Sequence, residues 1–327
     1  MKDFKNKNVL ITGGLGFVGS NLAIKLVDSE ANVLIVDNML PRQGGNLFNI
    51  EPVKNNVKVN ISDIRNSNSM NFLVQGMDYI FHLAGQVNHV DSVKNPLNDL
   101  SINVEGTLVI MEALRMFNPE AKVVFTGTRG EYGASLNLPV GEKHEINPIG
   151  IYAITNFAAE RIVLTYNNLH NIKSVCLRIT NTFGPRHQMA HDEYGVFNWF
   201  IRKAMDDEVI PVFGDGRILR DYLYIDDLSG ALLMTALCEN SYGEVFNVGS
   251  GIPLSFLDLA NKIISIAGRA EINYTEFTTE RKALEPGDYY ADISKIKKTV
   301  GWKPKISLDD GIKLTLDYYT KNKKHYW

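Results

Sequence analysis

The stretch Gly13-Gly14-Leu15-Gly16-Phe17-Val18-Gly19 constrains this 327-residue chain more than any other. It stands between a β-branched apolar run, "NVLIT", and an amphipathic helical pattern, "SNLAIKLVDSE". Glycines at 13, 16 and 19 permit a tight turn, close approach of backbone to a pyrophosphate, and close packing of a helix on a strand. The next run, "NVLIVDN", ends in Asp37, about twenty residues on, where a carboxylate can accept both hydroxyls of an adenosine ribose and would repel a 2′-phosphate. NAD is therefore expected as cofactor. Its expected contacts are Gly13, Gly16, Phe17 and Val18 in the turn, then Asp37 and Asn38 at the second strand end.

Four more runs, "VKVNISD", "MDYIFHLAG", "AKVVFTGT" and "KSVCLRIT", follow with helical patterns in most of the gaps. That alternation implies βαβ units and a parallel sheet covered on both faces, an α/β doubly wound fold. Asp63 and Ile64 follow the third run, where an adenine edge would pass, although Asp63 also reads as a solvated turn residue. Leu83, Ala84 and Gly85 close the fourth run with side chains small enough for the strand end to pack against a dinucleotide. Asn103, in "INVEGT", is either a buried amide bridging backbones or a helix cap.

Composition narrows the function classes. With 45% hydrophobic and 22% charged residues the chain has the make-up of a soluble globular protein. A net charge of −3 draws it neither to nucleic acid nor to an anionic membrane, and no apolar run is long enough to span a bilayer. Cys176 and Cys238 lie in apolar runs without CxxC spacing, so reduced thiols and no metal site are expected. The polar start "MKDFKNKNVLITGG" has no signal-peptide apolar segment, which points to the cytoplasm.

Along nearly its whole length the chain resembles the extended short-chain dehydrogenases/reductases, the NAD-dependent nucleotide-sugar epimerase and dehydratase family. "TGGLGFVGS", "FHLAG", "NVEGT", "TGTRGEYG", "LRITNTFGPR", "VFGDGRILRDYLYIDDL", "EVFNVGSG" and "GDYYADISKIKKTVGWKPKISLDDGI" carry the resemblance, in order and spacing. It implies an NAD-binding Rossmann domain over residues 1–179 and 221–250. A smaller α/β domain over 180–220 and 251–327 would hold a nucleoside diphosphate sugar. It also implies a homodimer, joined through helices near 99–117 and 152–169, whose apolar faces serve equally well in a monomer core.

In that family a Ser or Thr hydrogen-bonds the reacting sugar hydroxyl, a Tyr takes its proton, and a Lys four residues later lowers the tyrosine pKa and holds the nicotinamide ribose. The matching positions here are Thr128, Tyr152 and Asn156, so the lysine has become an amide. A free tyrosine titrates near 10, and one nearby cation lowers such a pKa by about 1 to 3 units. Its loss implies a rate lower by about tenfold to a thousandfold, while the Asn156 amide keeps a donor and an acceptor for the ribose. The sequence leaves three readings: an enzyme whose Tyr152 is activated by NAD⁺ and another group such as His89, Lys94 or His187; a binding protein without turnover; or a chemistry in which Tyr152 is not the main base.

The residues after Thr128 separate the branches. The 4,6-dehydratases of the family place an Asp-Glu pair there, whereas this chain has Arg129 and Gly130, with Glu131 one step further and turned the other way. Epimerisation, most simply at C4 of a UDP-sugar, fits by elimination. Arg129 is either a substrate contact or a solvated loop residue. The resemblance assigns sugar binding to Asn181 and the diphosphate to Arg220, with Arg186 in a turn at the domain junction. Phe213 either stacks on a base or belongs to the core. Where many relatives carry a second phosphate-binding arginine this chain has Glu285, which leaves Arg281 to substitute from four residues upstream or the region to face away.

Overall fold

A computed structural model describes residues 2–327. Seven strands form one sheet: β1 (Asn8–Thr12), β2 (Asn32–Asp37), β3 (Val57–Ile61), β4 (Tyr79–His82), β5 (Lys122–Thr128), β6 (Ser174–Ile179) and, much later in the chain, Val245–Val248. Every pairing in it is parallel, and the spatial order is β3-β2-β1-β4-β5-β6 followed by the late strand. The chain reverses direction of winding between β1 and β4. In open α/β sheets a crevice forms at that switch, outside the carboxyl ends of the strands.

Alternation along each strand sorts its side chains to two cores. Val9, Ile11, Val33, Ile35, Phe81 and Val124 pack on one face with the helix Phe17–Asp28, while Leu10, Val36, Ile80, Val123 and Phe125 pack on the other with the helices Gly106–Phe117 and Ile151–His170. Each such side chain contributes about 1.5–3 kcal/mol when fully buried. A one-residue slip of any strand would exchange the two sets, which fixes the register.

The smaller unit contains β7 (Asn181–Phe183), β8 (Ile210–Phe213), β9 (Leu219–Tyr224), the late strand of the large sheet counting as β10, then β11 (Pro253–Ser255) and β12 (Ile272–Thr275). β9 lies between β7 and β11, and β8 pairs with β12. β9 passes through residue 220 and runs straight into the helix Ile225–Leu237, so no linker marks that junction. Phe183, Phe197, Tyr224, Ile312 and Tyr319 join the first core without a break.

The expected helix near 99–117 is interrupted. It runs as Pro96–Leu100, one wide π turn at Ser101–Glu105, and Gly106–Phe117. Asn103 sits in the wide turn, where its Oδ1 accepts the Gln86 amide at 2.8 Å and its Nδ2 donates to Thr155 Oγ1 at 3.1 Å. It therefore bridges rather than caps. No helix among the described residues is long and apolar enough to cross a membrane, and none of their His, Cys, Asp and Glu side chains cluster as a metal site.

Candidate active site

β1 ends at Thr12 and the chain turns at Gly13, whose φ of +69° favours glycine and whose missing Cβ would lie 2.9 Å from Ala84 Cα. A Cβ at Gly19 would fall 2.3 Å from the Gly13 carbonyl oxygen, so the helix Phe17–Asp28 rests directly on the turn. Its first N–H groups carry no side-chain cap. They remain free for an anion. Behind the turn, His82 links Thr12 and Thr107 through its two ring nitrogens at 2.9 Å each, and burial lowers its pKa to about 4.

The switch-point cleft has a volume of about 510 Å³. Gly13, Gly16, Phe17, Val18, Asp37, Asn38, Ile64, Leu83, Ala84 and Gly85 line its cofactor half. Asp37 accepts the amides of Leu15 at 3.0 Å and Met39 at 2.8 Å, one on each oxygen, and burial raises its pKa. Each oxygen keeps lone-pair capacity for a ribose hydroxyl. Asp63 does not reach the cleft. Its carboxylate is held by Arg65 at 2.6 Å and by Asn38 at 3.0 Å, which depress its pKa below the usual range, Arg65 foremost.

Thr128, Arg129, Tyr152, Asn181, Phe213, Arg220 and Arg281 line the other half. The helix Ile151–His170 enters from Gly150 at φ +83° and leaves through Asn171 at φ +56°, which puts Tyr152 in its first turn, at the cleft. Burial pushes the Tyr152 phenol up to about 12, while the neighbouring Thr128 hydroxyl favours the ionised form. The His89 ring lies 4.2 Å from the Tyr152 ring, centroid to centroid. His89 is exposed on the cleft wall, where the surrounding protein, assisted by Arg129, lowers its pKa.

Two further expected site residues are, like Asp63, elsewhere. Asn156 turns back on its own helix, donating one of its two Nδ2 hydrogens to the Tyr152 carbonyl at 2.7 Å, and the residue does not line the cleft. Arg186 packs behind it, donating to the Asn49 carbonyl at 3.1 Å and to Asn21 Oδ1 at 2.9 Å, with its guanidinium over Tyr318. It ties the two units together and offers nothing to a substrate. Of the other groups named as sources of charge, His187 is a buried ring set edge-on to Phe17, its pKa lowered by burial to about 4, and Lys94 is exposed off the cleft.

The arginines of the substrate half are mostly engaged. Arg220 is 2% exposed and donates to the carbonyls of Leu219 and Gly287 and to Glu285. Glu285 therefore neutralises the residue expected to hold the diphosphate. Arg281 pairs with Asp192 at 3.0 Å and lies over the Phe213 ring, which itself stands 5.3 Å from Phe277. Arg129 donates Nε to Asn181 at 3.2 Å, lies over Tyr289, and forms no ion pair among the described residues. Burial and the neighbouring Arg220 bring its pKa down to about 10.

Glu131 points away from the cleft, as the step along the turn implies. It completes a capping box, accepting the Thr128 amide at 2.8 Å while Thr128 Oγ1 accepts the Gly130 amide at 3.1 Å. Its other oxygen meets Arg178 at 3.0 Å, and Arg178 also binds Glu160 at 2.7 Å, all three buried. Burial and the Glu160 charge raise the Glu131 pKa. An Arg inside the apolar run "SVCLRI" was the available sign of this trio. A further contact had only the Gly-Gly of "PRQGG" as a sign: Arg42 pairs with Glu193 at 2.5 Å, joining two loops that border the cleft.

The family described as GDP-mannose 4,6 dehydratase matches residues 10–315. A putative UDP-glucose 4-epimerase of Methanocaldococcus jannaschii is 35% identical, covering 97% of this chain and 99% of that protein. The crystal structure of UDP-glucose 4-epimerase from Thermotoga maritima with UDP-glucose superimposes with a TM-score of 0.88 at 31% identity, covering 97% of this chain and 99% of the other. UDP-glucuronic acid 4-epimerase from Bacillus cereus, in complex with UDP-glucuronic acid and NAD, does so at 0.85 and 27% identity, covering 96% and 99%.

Proposed function

The chain belongs to the family of GDP-mannose 4,6 dehydratase, whose relatives here are NAD-dependent nucleotide-sugar epimerases and dehydratases, and from that premise we propose that it epimerises a UDP-sugar at C4. The observation that carries this reading is the Thr128–Tyr152 pair on the cleft, whose substrate half has no unpaired carboxylate in its lining among the described residues; Asp99, near Tyr152, lies off the cleft and is bound by Thr155 and Asn103. Loss of water needs an acid for the departing hydroxyl. Here Glu131 is locked in the core, Glu285 is held by Arg220, Asp192 by Arg281 and Glu193 by Arg42. Inversion needs only a group that removes a hydroxyl proton and gives it back.

NAD fits the first half of the cleft. Its pyrophosphate suits the uncapped helix end beside Gly13, where a Cβ would meet Ala84, and its adenosine ribose suits Asp37. When bound it supplies hydride acceptance and return. The chain's own part is proton handling. Thr128 orients the sugar hydroxyl, Tyr152 takes its proton as the C4 carbonyl forms and restores it after the sugar turns over, and Asn181 holds the sugar at the far wall. We also propose a homodimer, because Leu97, Leu100 and Leu108 on one helix stretch and Ile154 and Leu169 on the other are exposed. Sedimentation at micromolar concentration reads this directly, and a monomer there rejects it.

The reaction is tested by incubating the NAD-loaded protein with UDP-, GDP-, CDP- and dTDP-sugars and following C4 inversion by NMR. Tyr152→Phe is expected to cut turnover by about a hundredfold to ten-thousandfold with NAD affinity unchanged. The phenol at about 12 without a lysine favours one second reading, a protein that binds nucleotide sugars with little turnover. Sugars that bind but never invert are the result that selects it.

A further inference from the structure

Tyr152 faces a poor environment for losing a proton. Burial opposes its ionisation, the carboxylates of Glu131 and Asp99 add to that opposition, and the amide at 156 is turned into the helix. Most cations that border the cleft are cancelled: Arg220 by Glu285, Arg281 by Asp192, and Arg42 across the loops by Glu193. His89 and His187 are neutral rings. Arg129 differs from all of these, since it has no carboxylate partner among the described residues and commits one N–H, its Nε, to Asn181. A guanidinium has five N–H donors, so its other end remains free.

The backbone brings Arg129 to Tyr152. It follows Thr128 directly, and the turn it begins packs on the first turn of the active-site helix: a Cβ at Gly130 would lie 3.7 Å from the Cβ of Ala153, the residue next to Tyr152. Its guanidinium lies over the Tyr289 ring, 5.4 Å from the centroid, and the side chain lines the cleft wall. We propose that Arg129 is the positioning residue whose fixed positive charge replaces the missing lysine and assists proton removal by Tyr152.

The charges around the pair agree in sign. Arg129 acts on Tyr152 toward ionisation and on His89 toward the neutral ring. Around Arg129 itself stand Arg220, which opposes its charge, and Glu285, Tyr289 and Tyr222, which favour it. With a pKa near 10 it remains protonated at neutral pH and transfers nothing. The proton passes from the sugar hydroxyl to the Tyr152 oxygen, and the guanidinium only makes that oxygen a better resting place for negative charge.

This inference rests on the proposed reaction, so it takes two measurements on the NAD-loaded protein: the pH profile of kcat, and the Tyr152 titration by 13C-tyrosine NMR, assigned with Tyr152→Phe. Arg129→Gln is expected to move the rising limb of the profile up by about one pH unit or more, lowering the rate about tenfold at neutral pH, with little change in KM. Arg129→Lys should restore the limb, and so should Asn156→Lys placed in the Arg129→Gln background. Arg129→Met, which keeps an unbranched apolar stem and removes the charge, serves in the same way if the glutamine variant does not fold. A raised KM for the nucleotide sugar with an unmoved limb would make Arg129 a substrate-anion contact and overturn the proposal. If the wild type inverts no sugar, the proposed reaction fails by itself, and the phenol titration still decides: a Tyr152 pKa indifferent to Arg129 overturns the inference.

Discussion

Around the glycine turn the cleft is walled by backbone, whereas around Arg129, Arg220 and Arg281 it is walled by charged side chains that are mostly paired already. In the first region the contacts that matter join residues close in sequence or on adjacent strands: Gly13 against Ala84, Gly19 against Gly13, Asp37 onto the amides of Leu15 and Met39. In the second they join residues far apart, Arg220 with Glu285 and Arg281 with Asp192. A backbone site is specified by where the glycines fall and tolerates no added atom. A site of ion pairs can be retuned by one substitution, because each pair hides a charge that is released when its partner is removed.

The largest effect should follow from adding one carbon to the rigid side. Gly19→Ala puts a Cβ within 2.3 Å of the Gly13 oxygen and 2.6 Å of Gly14 Cα, both backbone atoms with nowhere to move. Stability should fall by about 3 kcal/mol, read by urea unfolding, and calorimetry should find NAD binding lost. Wild-type values in both would mean that the helix has slack on the turn, and the contrast between the two regions would collapse.

A smaller effect of opposite sign is expected on the retunable side. Glu285→Gln keeps an acceptor for the Gly287 amide but releases the charge of Arg220 to the cleft. UDP should bind about tenfold tighter, since a charge-assisted contact to phosphate replaces an internal pair. Unfolding stability should drop by about 1 to 3 kcal/mol, as the buried guanidinium loses its partner. Unchanged UDP affinity would show Arg220 to be a structural residue that never reaches the diphosphate.

The same contrast explains what could be read in the sequence. The turn, Asp37, the parallel sheet and the place of Tyr152 are consequences of local spacing and strand alternation, so they are visible in a string of residues. The turn of Glu131 away from the cleft was also legible, from its one-residue step past Gly130, and the capping box with Thr128 holds it there. Asn156 and Arg186 were not. Whether an amide faces a cleft or its own helix carbonyl depends on a rotamer, and the partners of Arg186 at Asn21 and Asn49 lie more than a hundred residues away in the chain. Glu285 raised a question about the diphosphate site and Arg281, but the answer, a direct pair of Glu285 with Arg220, required the fold.

Acid provides the finest test of the comparison. Behind the glycine turn stands His82, and at its edge His187, both buried neutral with pKa values of about 4, against about 6.5 in an unfolded chain. Between those values the unfolded state binds more protons than the folded one. Stability is therefore intact above about pH 6.5 and is lost as pH falls toward 4, by about 1.4 kcal/mol per histidine per pH unit. The carboxylate of Asp63, whose pKa is depressed by Arg65, loses its contribution only in stronger acid. Urea unfolding of the wild type at pH 7, 6 and 5 should show this slope, and His82→Gln should remove one histidine's share of it, whatever it does to stability at pH 7. Amide exchange at pH 5 should quicken first in β1 and β4, where Thr12 meets His82, before the segments holding Arg220 and Arg281. Exchange that quickens first around those arginines would mean that the ion pairs, and not the backbone-walled turn, are the acid-sensitive part of the cleft.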